Sequence, residues 1–191
     1  ISAFFALTIP LITSCTSDHL MPKSDSFFIR ATLTVDPASG TFVQDTIPLG
    51  SYVDALGQAV LRVHNVEYEW VNENGSSPTL GGDTADFANF QITTQSQSAM
   101  TTLFDKSVVA KGQLWARNPD SSTNAPAQTY NDSHAPQHFS NGYLVAVETL
   151  YLGGQCGTDW QGTTLTCSLV MECTVEKMSQ SAAMALALSQ Q

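Results

Sequence analysis

Two histidines four residues apart, His134 and His138, with Asp132 just before them, form the nearest approach in this sequence to a metal-ligand constellation. On a helix, an i, i+4 spacing puts two imidazoles on one face, where a third donor could complete a zinc site. Pro136 stands between them and the neighbours carry turn chemistry, so the helix that would give the spacing meaning is not expected. His64 lies inside an apolar stretch and reads as a core-edge histidine hydrogen-bonded to a neighbour rather than as a catalytic base. Glu67, Glu69 and Glu73 fall at alternate positions, which on a strand makes an acidic ridge; a solvated face that discourages edge-to-edge pairing explains it without cation binding. The chain contains no G-x-S-x-G elbow, P-loop, Rossmann glycine pattern, H-E-x-x-H or EF-hand loop. No catalytic residue, metal ligand or cofactor is assigned, and an enzyme, a hydrolase with carboxylates scattered along the chain, ranks last among the readings.

The four cysteines do not space as a disulfide or zinc framework. Cys167 and Cys173 share one expected strand and one face, about 20 Å apart at the usual rise per residue, too far to bond each other. Cys156 sits in a Gly-rich stretch and could reach either, but free thiols packed as small apolar side chains are the favoured expectation. Ile12-Thr13-Ser14-Cys15, after the apolar run 1–12, resembles the lipobox of bacterial lipoproteins, which implies lipidation of Cys15. Met21-Pro22-Lys23-Ser24 competes with it as an ordinary translation start. Of the three tryptophans that could stack on a sugar, Trp70 shares a face with Val66 and Tyr68 and is expected in the core. Trp115 is a candidate, and Trp160, among glycines, is the one expected to be exposed.

The elements that would position these groups are strands. Residues 27–35 alternate apolar and polar with β-branched enrichment, and 41–49 follows across Asp36-Pro37-Ala38-Ser39-Gly40, which suggests a hairpin. Residues 50–57 read as one helical turn or tight loop, with Ser51 able to cap it and Gly57 able to stop it. In 60–71 the alternation slips at His64 and Asn65, and a comparable slip falls near Gly112 in 106–117; each calls for a β-bulge or for a strand buried on opposite sides at its two ends. Residues 72–86 read as a surface loop, 87–94 as a strand and 95–105 as a short helix or irregular crossing. Residues 143–152 are almost continuously apolar, as expected of a strand buried on both faces, with Gly153-Gly154 as the following turn. Residues 163–175 form the clearest strand: Leu165, Cys167, Leu169, Met171, Cys173 and Val175 face one way, and Val66, Tyr68 and Trp70 are expected to pack opposite them. An Ala-rich helix closes the chain over 179–191.

The fold expected is therefore all-β: an antiparallel β-sandwich or jelly roll of about seven to eight strands with one or two short helices. Residues 1–26 read as an N-terminal extension and 27–191 as a single domain, a length that one β-core can fill. The stretch 118–142, rich in Pro, Ser, Asn and His, reads as a long contact loop, with Tyr130, His134, His138 and Phe139 as its candidate contact residues.

Charged residues make up only 13% of the chain, and 7 basic against 17 acidic side chains leave a net charge of −10. A phosphate backbone would be repelled, so direct nucleic-acid binding is not expected. Taken over residues 27–175, the body of strands, long polar loops and sparse charge resembles the single jelly-roll capsid proteins of tailless viruses. No functional residue carries over from that resemblance. It implies a structural, self-assembling subunit of a virion, a homo-oligomer or a partner of other shell proteins. The acidic charge departs from capsid proteins that bind genome and implies a shell interior facing a membrane or other proteins. The alternative expectation is a lipid-anchored module of the bacterial cell envelope, held at Cys15 and binding a ligand or partner through 118–142.

Overall fold

A computed structural model describes residues 24–54, 56, 58–122 and 128–191, with 128–132 by backbone alone. Cys15 and the rest of the proposed extension up to residue 23 lie outside the described residues, as do Ala55 and Gly57. The described chain is built of antiparallel strands, as the alternating pattern requires: β1 (Phe27–Val35), β2 (Val43–Pro48), β3 (Ala59–Asn72), β4 (Thr79–Leu80), β5 (Thr84–Thr93), β6 (Val108–Asn118), β7 (Gln128–His134), β8 (Tyr143–Val145), β9 (Thr149–Cys156), β10 (Trp160–Gln161) and β11 (Leu165–Lys177). A 3₁₀ turn, Pro136–His138, follows β7, and one helix, α1 (Gln180–Ser189), follows β11. The strand count exceeds seven to eight because two-residue strands β4 and β10 pair with each other as a clasp, and because β7 forms where a loop was expected.

One sheet runs β1-β11-β3-β8 and the other β2-β9-β5-β6-β7. With β4, β7 and β10 set aside, eight strands fall into two four-stranded sheets in the connectivity of a jelly roll, each step along the chain changing sheet except that from β5 to β6. Successive strands β1 and β2 belong to different sheets, so the expected hairpin is instead a crossover: β1 pairs with β11 and β2 with β9. The same crossing explains residues 143–152. They are not one buried strand. β8 ends at Val145, the chain passes between sheets, and β9 starts at Thr149 in the other layer. On β8, Val145 points into the main core while Leu144 packs against the small cluster of Val60, Ala146, Ala183 and Ala187 under α1, so both faces are apolar for different reasons.

The core lies between the sheets. Leu165, Cys167, Leu169, Met171 and Cys173 from β11 are fully buried there, with Phe90 and Ile92 from β5 and Leu150 and Leu152 from β9. Val66 and Trp70 are buried in the same core and Tyr68 packs against it. They sit beside the β11 row rather than opposite it, because β3 and β11 are neighbours in one sheet: Val66 pairs with Met171, Tyr68 with Leu169 and Trp70 with Cys167.

The slip in β3 is a β-bulge. Asn65 pairs with Glu172 and Val63 with Cys173, leaving His64 as the extra residue. The insertion keeps Leu61 and Val63, before it, and Val66 and Trp70, after it, on the same buried face. In β6 the irregularity falls at Val109, between the pairs Ile92–Ala110 and Thr93–Val108, not at Gly112. Gly112 has another cause: a Cβ there would lie 2.3 Å from Cε1 of Phe90 and 2.9 Å from the Tyr68 ring, so the absent side chain is the space those rings fill. Gly153 and Gly154 likewise form no turn. They lie inside β9, where a Cβ would meet the Phe42 ring on one face and Leu33 on the other.

The turn at residues 49–53 is one bonded loop, with Tyr52 and Val53 N–H both donating to the Leu49 carbonyl. Residues 94–107 cross irregularly rather than as a helix. The Ser179 hydroxyl caps α1 by accepting from Ala182 N–H at 3.4 Å.

Candidate functional site

The stretch 118–142 is only partly loop. β6 runs on to Asn118, and β7 adds an edge strand to the five-stranded sheet with Lys111 opposite His134, Gln113 opposite Asp132 and Trp115 opposite Tyr130. The Tyr130 side chain lies outside the described residues. His134 and Phe139 come together, ring centroids 5.2 Å apart in an edge-on arrangement, while His138 is exposed at the end of the 3₁₀ turn. His134 and His138 therefore sit on a strand and a 3₁₀ turn, not on one helical face. Among the described residues no group of three or more His, Cys, Asp and Glu could hold a metal ion.

That 3₁₀ turn has a structural task. β8 covers β3 only at Leu61, Arg62 and Val63, which leaves the edge of β3 open from Val66 onward. Gln137 closes the first open position with its amide: Val66 N–H donates to Oε1 and Nε2 donates to the Val66 carbonyl, both at 3.0 Å. Gly142, at φ 63°, lets the chain come off this turn against the Val63 carbonyl, where a Cβ would lie 2.3 Å from the oxygen.

The outer face of the five-stranded sheet carries the more chemically varied surface. On β5 and β6 the residues between the core positions, Phe87, Asn89 and Gln91 with Lys111, Gln113 and Trp115, pair across strands on the solvent side. The segment 94–107 folds back over this face. Fully buried Gln91 holds it, with Nε2 donating to Ala99 O and Oε1 accepting from Thr101 N–H and hydroxyl. Gln44 bonds Ser96 and Gln97, and the Lys111 ammonium donates to the Thr101 carbonyl. Between this segment and the sheet lies a cavity of about 360 Å³ lined by Asn89, Met100, Leu103, Lys111, Gln113 and His134 among others. Sequence reasoning missed it, because its walls come from four separated stretches and no spacing marks them.

A second, wider cleft of about 620 Å³ lies between α1 and β8 and includes Arg62, Lys106, Tyr143 and Gln190. Its arginine is already satisfied: Arg62 Nε and Nη2 donate to Glu176 at 2.7 and 2.8 Å, and Nη1 donates to Asn141 O. The Glu176 hydrogen bond raises the guanidinium further above its ordinary value. Next to it, His64 Nε2 and Thr174 Oγ1 are 2.9 Å apart, the hydrogen bond expected of a bulge histidine.

Other sequence candidates resolve simply. Cys156, Cys167 and Cys173 are free and buried, and burial pushes Cys156 up to about 11 and the other two up to about 12. Trp160 is buried rather than exposed: its indole donates to Phe87 O at 2.9 Å while Asp86, itself buried, accepts from Asp159 N–H and Phe87 N–H and so ties the 157–160 turn to β5. Trp115 is half-buried on the outer face, and Glu67, Glu69 and Glu73 are exposed, as a solvated ridge would be.

Eight large apolar side chains are exposed among the described residues, and four stand on two adjoining elements: Leu103 and Phe104, the latter 98% exposed, on the 94–107 segment, and Met184 and Leu188 on α1. The two elements meet at Gln190, whose backbone carbonyl accepts from Thr94 Oγ1 while its amide bonds Leu144 O and Ala146 N–H. No helix among the described residues is long and apolar enough to cross a membrane. No protein-family model and no curated protein matches this chain.

Proposed function

We propose that this chain is a structural, self-assembling subunit, a capsid protein whose copies pack with one another or with companion proteins to form a virion shell. The observation that carries the reading is the apolar set on two pinned elements. Phe104 and Leu103 project from a segment held by Gln91, Gln44 and Lys111, and Leu188 and Met184 project from a helix locked by Gln190. Large apolar side chains held rigidly in water mark surfaces that other protein covers, since covering them is favourable and costs little ordering. The jelly-roll connectivity supports the same reading: two sheets packed face to face make a self-contained body, an architecture that viral capsid domains use. The net charge of −10 turns the interior of such a shell toward protein or membrane rather than naked genome.

The test is the assembly state of the purified chain by light scattering and electron microscopy, alone and with Phe104→Glu plus Leu188→Glu. The wild type forms discrete large particles or oligomers, and the double variant stays monomeric with an unchanged far-UV spectrum and thermal midpoint. A wild type still monomeric at about 1 mM, where even a contact of about −4 kcal/mol would be half populated, overturns the proposal. The envelope alternative has its own test, since palmitate labelling abolished by Cys15→Ser belongs to a lipoprotein and not to a shell subunit.

A further inference from the structure

The cleft between α1 and β8 opens within the apolar set assigned to assembly. Lys106, two residues past Phe104, lines it, and so do Leu186 and Ser189, which stand on either side of Leu188 in the chain. Leu144 and Leu186 give it an apolar wall, and the charged residues among its described lining, Arg62 and Lys106, are both cations. Arg62 is held by Glu176 and Asn141 O. The Lys106 ammonium is exposed and donates to the Gln191 carbonyl at 3.3 Å, while the neighbouring Asp105 carboxylate is turned to its own turn and accepts from Ser107 N–H at 2.8 Å.

A matching projection stands at the same end of the sandwich. Asp54 and Ala59 exchange both backbone hydrogen bonds at 2.9 Å and close a short hairpin that carries Leu56, 72% exposed, between them. Gln58 is held at φ 72°, a left-handed backbone that a residue with a side chain adopts at a cost, and its carbonyl accepts from Met178 N–H at 2.9 Å. The hairpin is therefore fastened in place beside the start of α1, and little ordering is needed for another surface to use it. It does not fill the cleft of its own chain, because the cleft lies at the last turn of α1, about 15 Å away along a helix of 10 residues. The hairpin also carries the Asp54 carboxylate, and Lys177 pairs with Ala59 at its base.

Building on the assembly reading, we infer that the cleft between α1 and β8 receives the Leu56 hairpin of a second copy of this chain, so that copies join head to tail. Leu56 packs against Leu144 and Leu186, and Asp54 faces Lys106. An apolar anchor seated in a concave site supplies the attraction, and the exposed ion pair sets orientation more than affinity. Projection and cleft are different parts of one surface, so each joined pair keeps one of each free for the next copy, and the assembly extends into rings or larger bodies instead of stopping at a two-fold dimer.

The experiment compares the full chain with Leu56→Lys and Ser189→Trp by sedimentation velocity. Both positions are exposed, so the far-UV spectrum and thermal midpoint stay as in the wild type. Each variant alone raises the concentration at which oligomers appear by about tenfold or more, the worth of burying one leucine side chain. Mixed in equal amounts, the two variants form a pair with one copy of each and grow no further, since the intact cleft of the Leu56→Lys chain takes the intact hairpin of the Ser189→Trp chain. A wild type that assembles while the Leu56→Lys chain assembles equally well, or a mixture that behaves as the two variants do apart, overturns the head-to-tail contact and leaves the shell reading standing. A wild type still monomeric at about 1 mM overturns both.

Discussion

Residue-level behaviour in this protein follows from what each side chain meets on burial. The three described thiols lie in the core beside carboxylates rather than cations, so the thiolate form is disfavoured by burial first and by Asp86, Glu69 and Glu172 after it. In a Cys15→Ser chain at about pH 8, near the ordinary thiol range, Ellman's reagent therefore finds no rapidly reacting thiol until the protein is unfolded, and then finds three. A fast-reacting thiol in the folded chain would contradict this placement. Gly112 makes a sharper test, since its neighbours are ring atoms from both sheets. Gly112→Ala forces Phe90 and Tyr68 apart and lowers stability by about 1–3 kcal/mol in chemical denaturation. Asp86 has the opposite sign to a salt-bridged carboxylate. Burial raises its pKa despite backbone hydrogen bonds that lower it, so its contribution to stability is fully present below the unfolded value and is lost as pH rises through the folded one. The Asp86 carboxyl carbon accordingly titrates above the ordinary aspartate range by NMR, and a midpoint below that range would reverse the assignment. None of these three environments is written locally in the sequence, because each depends on which distant strand lies alongside.

At the scale of elements, the Gln137 amide acts in place of one residue of a missing strand. Gln137→Ala removes two hydrogen bonds and leaves the Val66 backbone groups to find water at an open edge, a loss of about 1–2 kcal/mol in chemical denaturation. An unchanged midpoint would mean that solvent replaces the amide at no cost. The elements legible in the sequence were those that satisfy one rule along their whole length. β1 spans the expected residues, β3 carries its bulge at His64 where the alternation slipped, and β11 keeps one buried row from Leu165 to Cys173. What stayed hidden was change of layer. The run 143–156 mixes two strands of two sheets because apolar side chains are needed under α1, in the core and through the crossing alike. The sequence alternation cannot tell a hairpin from a crossover at residues 36–42, since both need a turn between two strands. β7 was hidden for a different reason: its sequence is polar throughout, so no apolar alternation marks the strand, which pairs by its backbone with β6 at the edge of the sheet. The cavity walls are illegible in the sequence because they come from four separated stretches that only the sheet and the 94–107 segment bring together.

For the whole molecule, the proposed assembly would set apolar contact against charge. Each copy carries a net charge of −10 with a pI of about 4.5, so copies brought together near neutral pH repel one another. The surfaces proposed to meet, around Phe104 and Leu188, are apolar, and their attraction is not screened by salt. The Debye length shrinks from about 10 Å at 0.1 M ionic strength to about 3 Å at 1 M, which removes most of the repulsion between exposed charges and leaves the contact itself intact. The concentration at which particles appear in light scattering therefore falls as salt is raised, and falls again as pH is lowered toward the pI. An assembly joined through ion pairs between copies would respond in the opposite direction to salt. A threshold that rises with ionic strength would thus remove the apolar patch from its proposed role, even if particles form.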